Sequence, residues 1–131
     1  MLGLAMRFAL TGGGATLVHL TVAMLLIRLG VFPLIGNAVA FATAFMVSFW
    51  GHHLFTFAGH GAAAITVFRR FAVVASIGFL ANEAGLFLLL MTGVVQPQAA
   101  VLLSTAFAAV CTFILSHFWA FAGIQLSLSK P

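Results

Sequence analysis

A single acidic side chain stands against five Lys or Arg in 131 residues, and only 5% of the chain is charged. A water-soluble domain carries about 25% charged residues. With 64% hydrophobic residues, too few polar groups remain to clothe a surface in water. That excludes a soluble globular domain and makes lipid the solvent. The lone cysteine, Cys111, excludes an intrachain disulfide and a cysteine-based zinc site. Without Asp there is no Ser–His–Asp triad, and nothing reads as an enzyme site. The five basic residues, Arg7, Arg28, Arg69, Arg70 and Lys130, form no cluster that meets phosphates along a nucleic acid. The adjacent His52-His53 lacks a carboxylate or thiolate neighbour and points two ways on a helix, so no metal or other cofactor is expected. Gly12-Gly13-Gly14 has neither the preceding strand nor the following Lys of a phosphate loop and reads instead as a place of close helix approach.

What is present is apolar length. Four spans are expected, at about 8–27, 33–57, 71–91 and 97–121, in an all-α integral membrane fold. Arg7 and Arg28 bracket the first span 21 residues apart, which at about 1.5 Å per residue is roughly 31 Å, a bilayer's hydrocarbon thickness. The N-terminal apolar run is too long for a signal-peptide h-region and reads as an uncleaved first span. Pro33 and Pro97 each follow a Gly, Gly30 and Gly93, by a few residues, so each helix pair closes in a tight turn.

The halves repeat. Arg7-Phe8-Ala9 recurs as Arg70-Phe71-Ala72, and His53 to Gly59 recurs as His117 to Gly123, with one residue inserted near the second turn. One transmembrane domain over 1–131 is thus expected, built as two parallel-repeat helical hairpins, about 7–59 and about 70–123. The basic residues put Arg7, Arg69, Arg70 and Lys130 on one side and Arg28 on the other, so both termini and the central loop are expected in the cytoplasm. Phe55, Phe57, Trp119 and Phe121 are expected in an aromatic belt on that side, with His60 nearby.

Glu83, the only acid, lies within an apolar run. A carboxyl in mid-membrane costs roughly 2.5–3.5 kcal/mol on insertion scales and normally faces a bundle interior. His19 lies 12 residues past Arg7 and Glu83 lies 13 past Arg70, both near mid-depth. A direct His19–Glu83 pair would lower the cost of burial and could carry a proton. Under the repeat offset Asn82 is the equivalent of His19. On the second span Asn37, Phe41, Ala44, Ser48 and His52 share a face; on the fourth, Thr105, Ala109, Thr112 and Ser116 do. Either these stripes pack helices closely, or Ser48, His52, Thr112 and Ser116 line a cavity for a polar headgroup. Ala38, Ala42, Gly78 and Gly85 are small enough to support self-association as a homo-oligomer.

Taken together, Arg7-Phe8-Ala9-Leu10-Thr11-Gly12, the second-helix ending Phe49 to Phe57 and its echo Phe113 to Phe121 resemble the GtrA-like family of small four-span membrane proteins. His52 and Ser116 stand where that pattern has Asn, and His53 and His117 where it has a basic residue. The resemblance implies translocation of undecaprenyl-phosphate-linked sugars across the bacterial cytoplasmic membrane for cell-surface polysaccharide synthesis, beside a membrane glycosyltransferase. It implies Arg7, Arg70, His53 and His117 as phosphate contacts at the cytoplasmic face, and Glu83, Asn82 and His19 as headgroup contacts at mid-depth. Two other readings stand beside it: an adaptor that anchors a glycosyltransferase, and a proton-coupled exporter resembling small multidrug transporters.

Overall fold

The structure, a computed structural model, describes residues 3–56, 58, 61–115, 118 and 119. They form four helices with no strand among the described residues: α1 (Leu4–Arg28), α2 (Pro33–Gly51), α3 (Gly61–Thr92) and α4 (Pro97–Leu115). A π-helical turn, His52–Thr56, prolongs α2. All four helices are long and apolar enough to cross a membrane, as Met6–Arg28, Pro33–Thr56, Phe68–Thr92 and Pro97–Leu115. α3 begins ten residues before the expected span, because Ala62-Ala63-Ala64 extends helix out of the apolar stretch. Phe57, His60, Ser116, His117, Phe121 and Lys130 lie outside the described residues.

Helix ends follow local chemistry. Gly30 takes φ +86° after α1, and its N–H and that of Val31 bond back to the carbonyls of Ile27 and Leu26. This paired closure uses a left-handed residue that only glycine adopts cheaply. Gly93, 63 residues on, takes φ +65°; its N–H bonds back to the Leu90 carbonyl, while that of Val94 donates to Thr92 Oγ1. Pro33 and Pro97 then open α2 and α4, where a missing N–H costs nothing. Two residues stand between Gly30 and Pro33 and three between Gly93 and Pro97, so the inserted residue lies in the second turn.

Packing repeats as well. Ala15, His19 and Ala23 are buried on α1; Gly78, Asn82 and Leu86, each 63 positions later, are buried on α3. Gly36, Asn37, Ala40 and Ala44 are buried on α2; Ala100, Val101, Ser104 and Ala108, each 64 later, are buried on α4. α1 packs mainly on α2 and α3 mainly on α4, with lighter contact between the hairpins. Each hairpin therefore presents the same inward face. That face is mostly Ala, Gly and Ser, because helices in lipid gain by close backbone approach rather than by hiding apolar surface from water.

Large apolar residues point outward, including Leu17, Leu25, Leu80, Leu88, Phe107 and Phe113. Outward hydroxyls are satisfied locally: Thr16, Thr43 and Ser76 each donate to the carbonyl four residues back at 2.9 Å. Hydrocarbon offers them no other acceptor.

Glycine placement corrects two expectations. Gly12, Gly13 and Gly14 meet no neighbouring helix, since a Cβ there finds open space. The inward face of α1 is that of Ala15, His19 and Ala23, so Gly13 and Gly14 instead shape a shallow outer groove with Ala9, Leu10, Thr16 and Leu17. Gly78 and Gly85 pack within the second hairpin, against Thr112 and Ser104, and are not free for self-association.

A Cβ on Gly78 would overlap Thr112 Oγ1. Gly78→Ala is expected to destabilise the bundle by about 1–3 kcal/mol. The double variant Gly78→Ala/Thr112→Ala recovers most of that loss. Thermal unfolding in detergent reads both.

Candidate functional site

Two polar clusters interrupt the small-residue interior. The first lies towards the turn end. His19 on α1, Asn37 on α2 and Glu83 on α3 form a hydrogen-bonded chain: His19 Nε2 to Asn37 Oδ1 at 2.9 Å, and Asn37 Nδ2 to Glu83 Oε2 at 2.6 Å. His19 and Asn37 are buried and Glu83 is half-buried. Three helices and both hairpins meet at this point. The expected direct His19–Glu83 contact is replaced by a bridge. α1 packs chiefly on α2, so the amide of α2 stands between the imidazole of α1 and the carboxylate of α3.

Asn37 is the member that the sequence did not single out as a site residue, although it shares the inward face with Ala44, Ser48 and His52. The available signal was its type: a carboxamide inside a span must find partners in the protein. Bridging is what it does best, because its carbonyl accepts on one side while its NH2 donates on the other.

Asn82, beside Glu83, is 4% exposed, and its Oδ1 has no hydrogen-bond partner among the described residues. The repeat explains the vacancy. His19 is answered across its hairpin by Asn37; at the equivalent of Asn37 the second hairpin has Val101, fully buried and apolar. Thr105 Oγ1 on α4 is likewise buried without a partner. The inward face of α4 is that of Ala100, Val101, Ser104, Thr105 and Ala108, so Ala109 of the expected stripe points outward and Thr112 is only half-buried.

The second cluster lies at the opposite end, where Arg7 and Arg70 are. His52 and Thr56 are fully buried, one π-helical turn apart, with His52 Nδ1 3.0 Å from Thr56 Oγ1 and that oxygen 3.1 Å from Thr11 Oγ1. The imidazole stacks on Phe8 at 4.7 Å and meets Phe71 edge-on at 5.1 Å. The π turn and Gly51 make this closeness possible: a Cβ at Gly51 would stand 2.6 Å from Thr11 Cγ2. His52 is thus packed among aromatic rings rather than lining an open seam. Ser48, one turn further in, is also buried.

Of the expected phosphate contacts, Arg7 donates to the Phe55 carbonyl at 3.3 Å and lies 5.3 Å from the Phe55 ring centroid. Arg70 is half-buried beside Phe71, which touches Phe8 at 5.2 Å, so the two arginines belong to one end of the bundle. His53 is exposed and stacks loosely on Phe49 at 6.3 Å. His117 and Ser116 lie outside the described residues. No group of three or more His, Cys, Asp or Glu able to hold a metal occurs among the described residues.

Apolar outer faces, a small-residue interior and a carboxyl satisfied only from within define a multi-pass membrane protein of four spans, arranged as two like hairpins. Residues 7–121 match the family model described as GtrA/DPMS, transmembrane domain, and the chain belongs to that family. No curated protein and no solved structure matches it significantly. The family is one of membrane translocation and accessory proteins rather than catalysts, and membership implies involvement in polyprenyl-linked sugar translocation in general.

If the repeat explains the orphaned carbonyl, Val101→Asn restores the partner that the first hairpin already has. Its expected effect is unchanged or higher stability, by up to about 1.5 kcal/mol. A polar residue placed at an unrelated buried site such as Leu86→Asn is expected to destabilise instead; parallel thermal unfolding distinguishes them.

Proposed function

We propose that this protein carries undecaprenyl-phosphate-linked sugar across the bacterial cytoplasmic membrane, with both termini on the cytoplasmic side, for use by a membrane glycosyltransferase in cell-surface polysaccharide synthesis. The observation that carries this reading is the His19–Asn37–Glu83 chain, inside a bundle that belongs to the family. A sugar phosphate crossing hydrocarbon needs polar partners at the helix interface while its polyprenyl tail stays in lipid. The half-buried Glu83 and the orphaned Asn82 carbonyl offer acceptors for sugar hydroxyls at depth. Arg7 and Arg70, at the other end, supply positive charge where the phosphate enters, and His53 and His117 are the further phosphate contacts that the family resemblance implies. The lighter contact between hairpins provides the seam along which a headgroup passes.

The test is transbilayer movement of a polyprenyl-phosphate hexose in proteoliposomes. Wild type is expected to accelerate it, and Glu83→Gln to slow it roughly tenfold or more, since a buried polar group left without its partner costs about 1–3 kcal/mol. Absence of movement with folded wild type overturns the proposal and leaves the adaptor reading, which predicts copurification with a glycosyltransferase. Export of small cations in place of sugar would favour the drug-exporter reading.

A further inference from the structure

Asn37 stands between two groups that can each hold or release a proton, His19 on one side and Glu83 on the other. The carboxamide of Asn37 presents oxygen and nitrogen in nearly identical shapes, so a half-turn about its last bond exchanges them. The chain can therefore be written in two ways with the same heavy-atom positions. In one, Glu83 is ionised: its Oε2 accepts from Asn37 Nδ2, and Asn37 Oδ1 accepts from His19 Nε2–H. In the other, Glu83 holds a proton: its O–H donates to the carboxamide oxygen, and the carboxamide NH2 donates to a bare His19 Nε2. Glu83 gains one proton between the two, taken from water. The imidazole keeps one proton throughout, on Nε2 in the first form and on Nδ1 in the second. Both forms leave every partner in the chain satisfied.

We propose that His19, Asn37 and Glu83 form a proton-binding site in which rotation of the Asn37 carboxamide reverses the hydrogen-bond chain. The protonated form places no net charge in hydrocarbon, which gives the site a reason to take up a proton. Among the described residues no Lys or Arg offsets an ionised Glu83: α1 brings only His19 to it; α2 brings Asn37, with His52 and His53 15 or more residues further on; α4 carries only Cys111 as a titratable group, seven residues beyond Ser104; and Arg69 and Arg70 stand 13 or more residues away along α3. Glu83, half-buried where its two partners are buried, is the point of proton entry. The same carboxyl is the one offered above to the sugar. Coupling of the proton to sugar movement rests on that reading, whereas the proton site itself does not.

Composition makes a direct test available. Glu83 is the only glutamate, so carboxyl-13C glutamate labels this one side chain without any substitution. Infrared spectra and carbon chemical shifts of labelled protein in lipid nanodiscs, taken from mildly acidic to alkaline pH, then report its protonation alone. The expected result is a label-shifted, protonated carboxyl signal that gives way to carboxylate as pH rises through the range. Asn37→Leu, checked for helicity, moves that transition to a different pH. A carboxylate signal alone across the range overturns the proposal, as does a carboxyl signal that never titrates. A proton that exchanges normally in protein that moves no sugar would leave the site standing and remove only the coupling.

Discussion

A carboxyl group inside hydrocarbon must be answered by the protein that carries it, and the bundle is organised around that requirement. No described basic side chain reaches Glu83, and the relief that the described residues offer is a polar side chain on another helix. Asn37 gives it and is in turn held by His19. The result joins α3 of one hairpin to α1 and α2 of the other. Elsewhere at this depth the hairpins touch through Ala, Gly and apolar side chains, whose contact is weak because lipid competes equally well for them. The polar chain is therefore the specific link between the halves, and a substrate or proton that disturbs it also alters how the halves are held.

Duplication with divergence explains the rest of the interior. Two hairpins with the same buried positions would place the same chemistry on both sides of the seam. They do not: the first has His19 and Asn37, the second Asn82 and Val101. With Val101 where the first hairpin has Asn37, the Asn82 carbonyl is unanswered among the described residues, next to the acid that reaches across to the first hairpin. The interior thus holds one bridge and, among the described residues, one unanswered carbonyl. At the basic end, by contrast, His52, Thr56 and Thr11 are closed upon one another under Phe8 and Phe71. That cluster reads as a clasp for the π turn.

Much of this fold was legible in the chain. Gly30 and Gly93 announced the two turns because only a left-handed residue closes a helix so tightly, and the matched Arg-Phe-Ala openings announced the repeat. Depth was legible too: counting from Arg7 and Arg70 put His19 and Glu83 at one level. What counting along a helix does not give is which neighbour stands between two residues at the same level. That depends on how closely α1 packs on α2, and it is why the bridging role of Asn37 escaped while its place on the inward face did not. The outward facing of Gly12, Gly13 and Gly14 escaped for the same reason. Small residues permit close approach, but the buried face of α1 is decided by Ala15, His19 and Ala23.

The central claim is that Asn37 and Glu83 act as one unit that joins the hairpins. A double-mutant cycle on unfolding in lipid, with Asn37→Leu, Glu83→Leu and the two combined, tests it most directly. The account predicts a coupling energy clearly above the noise of independent sites, roughly 0.6–1.7 kcal/mol as found for hydrogen bonds between membrane helices. Losses that simply add, within about 0.3–0.5 kcal/mol, would contradict it.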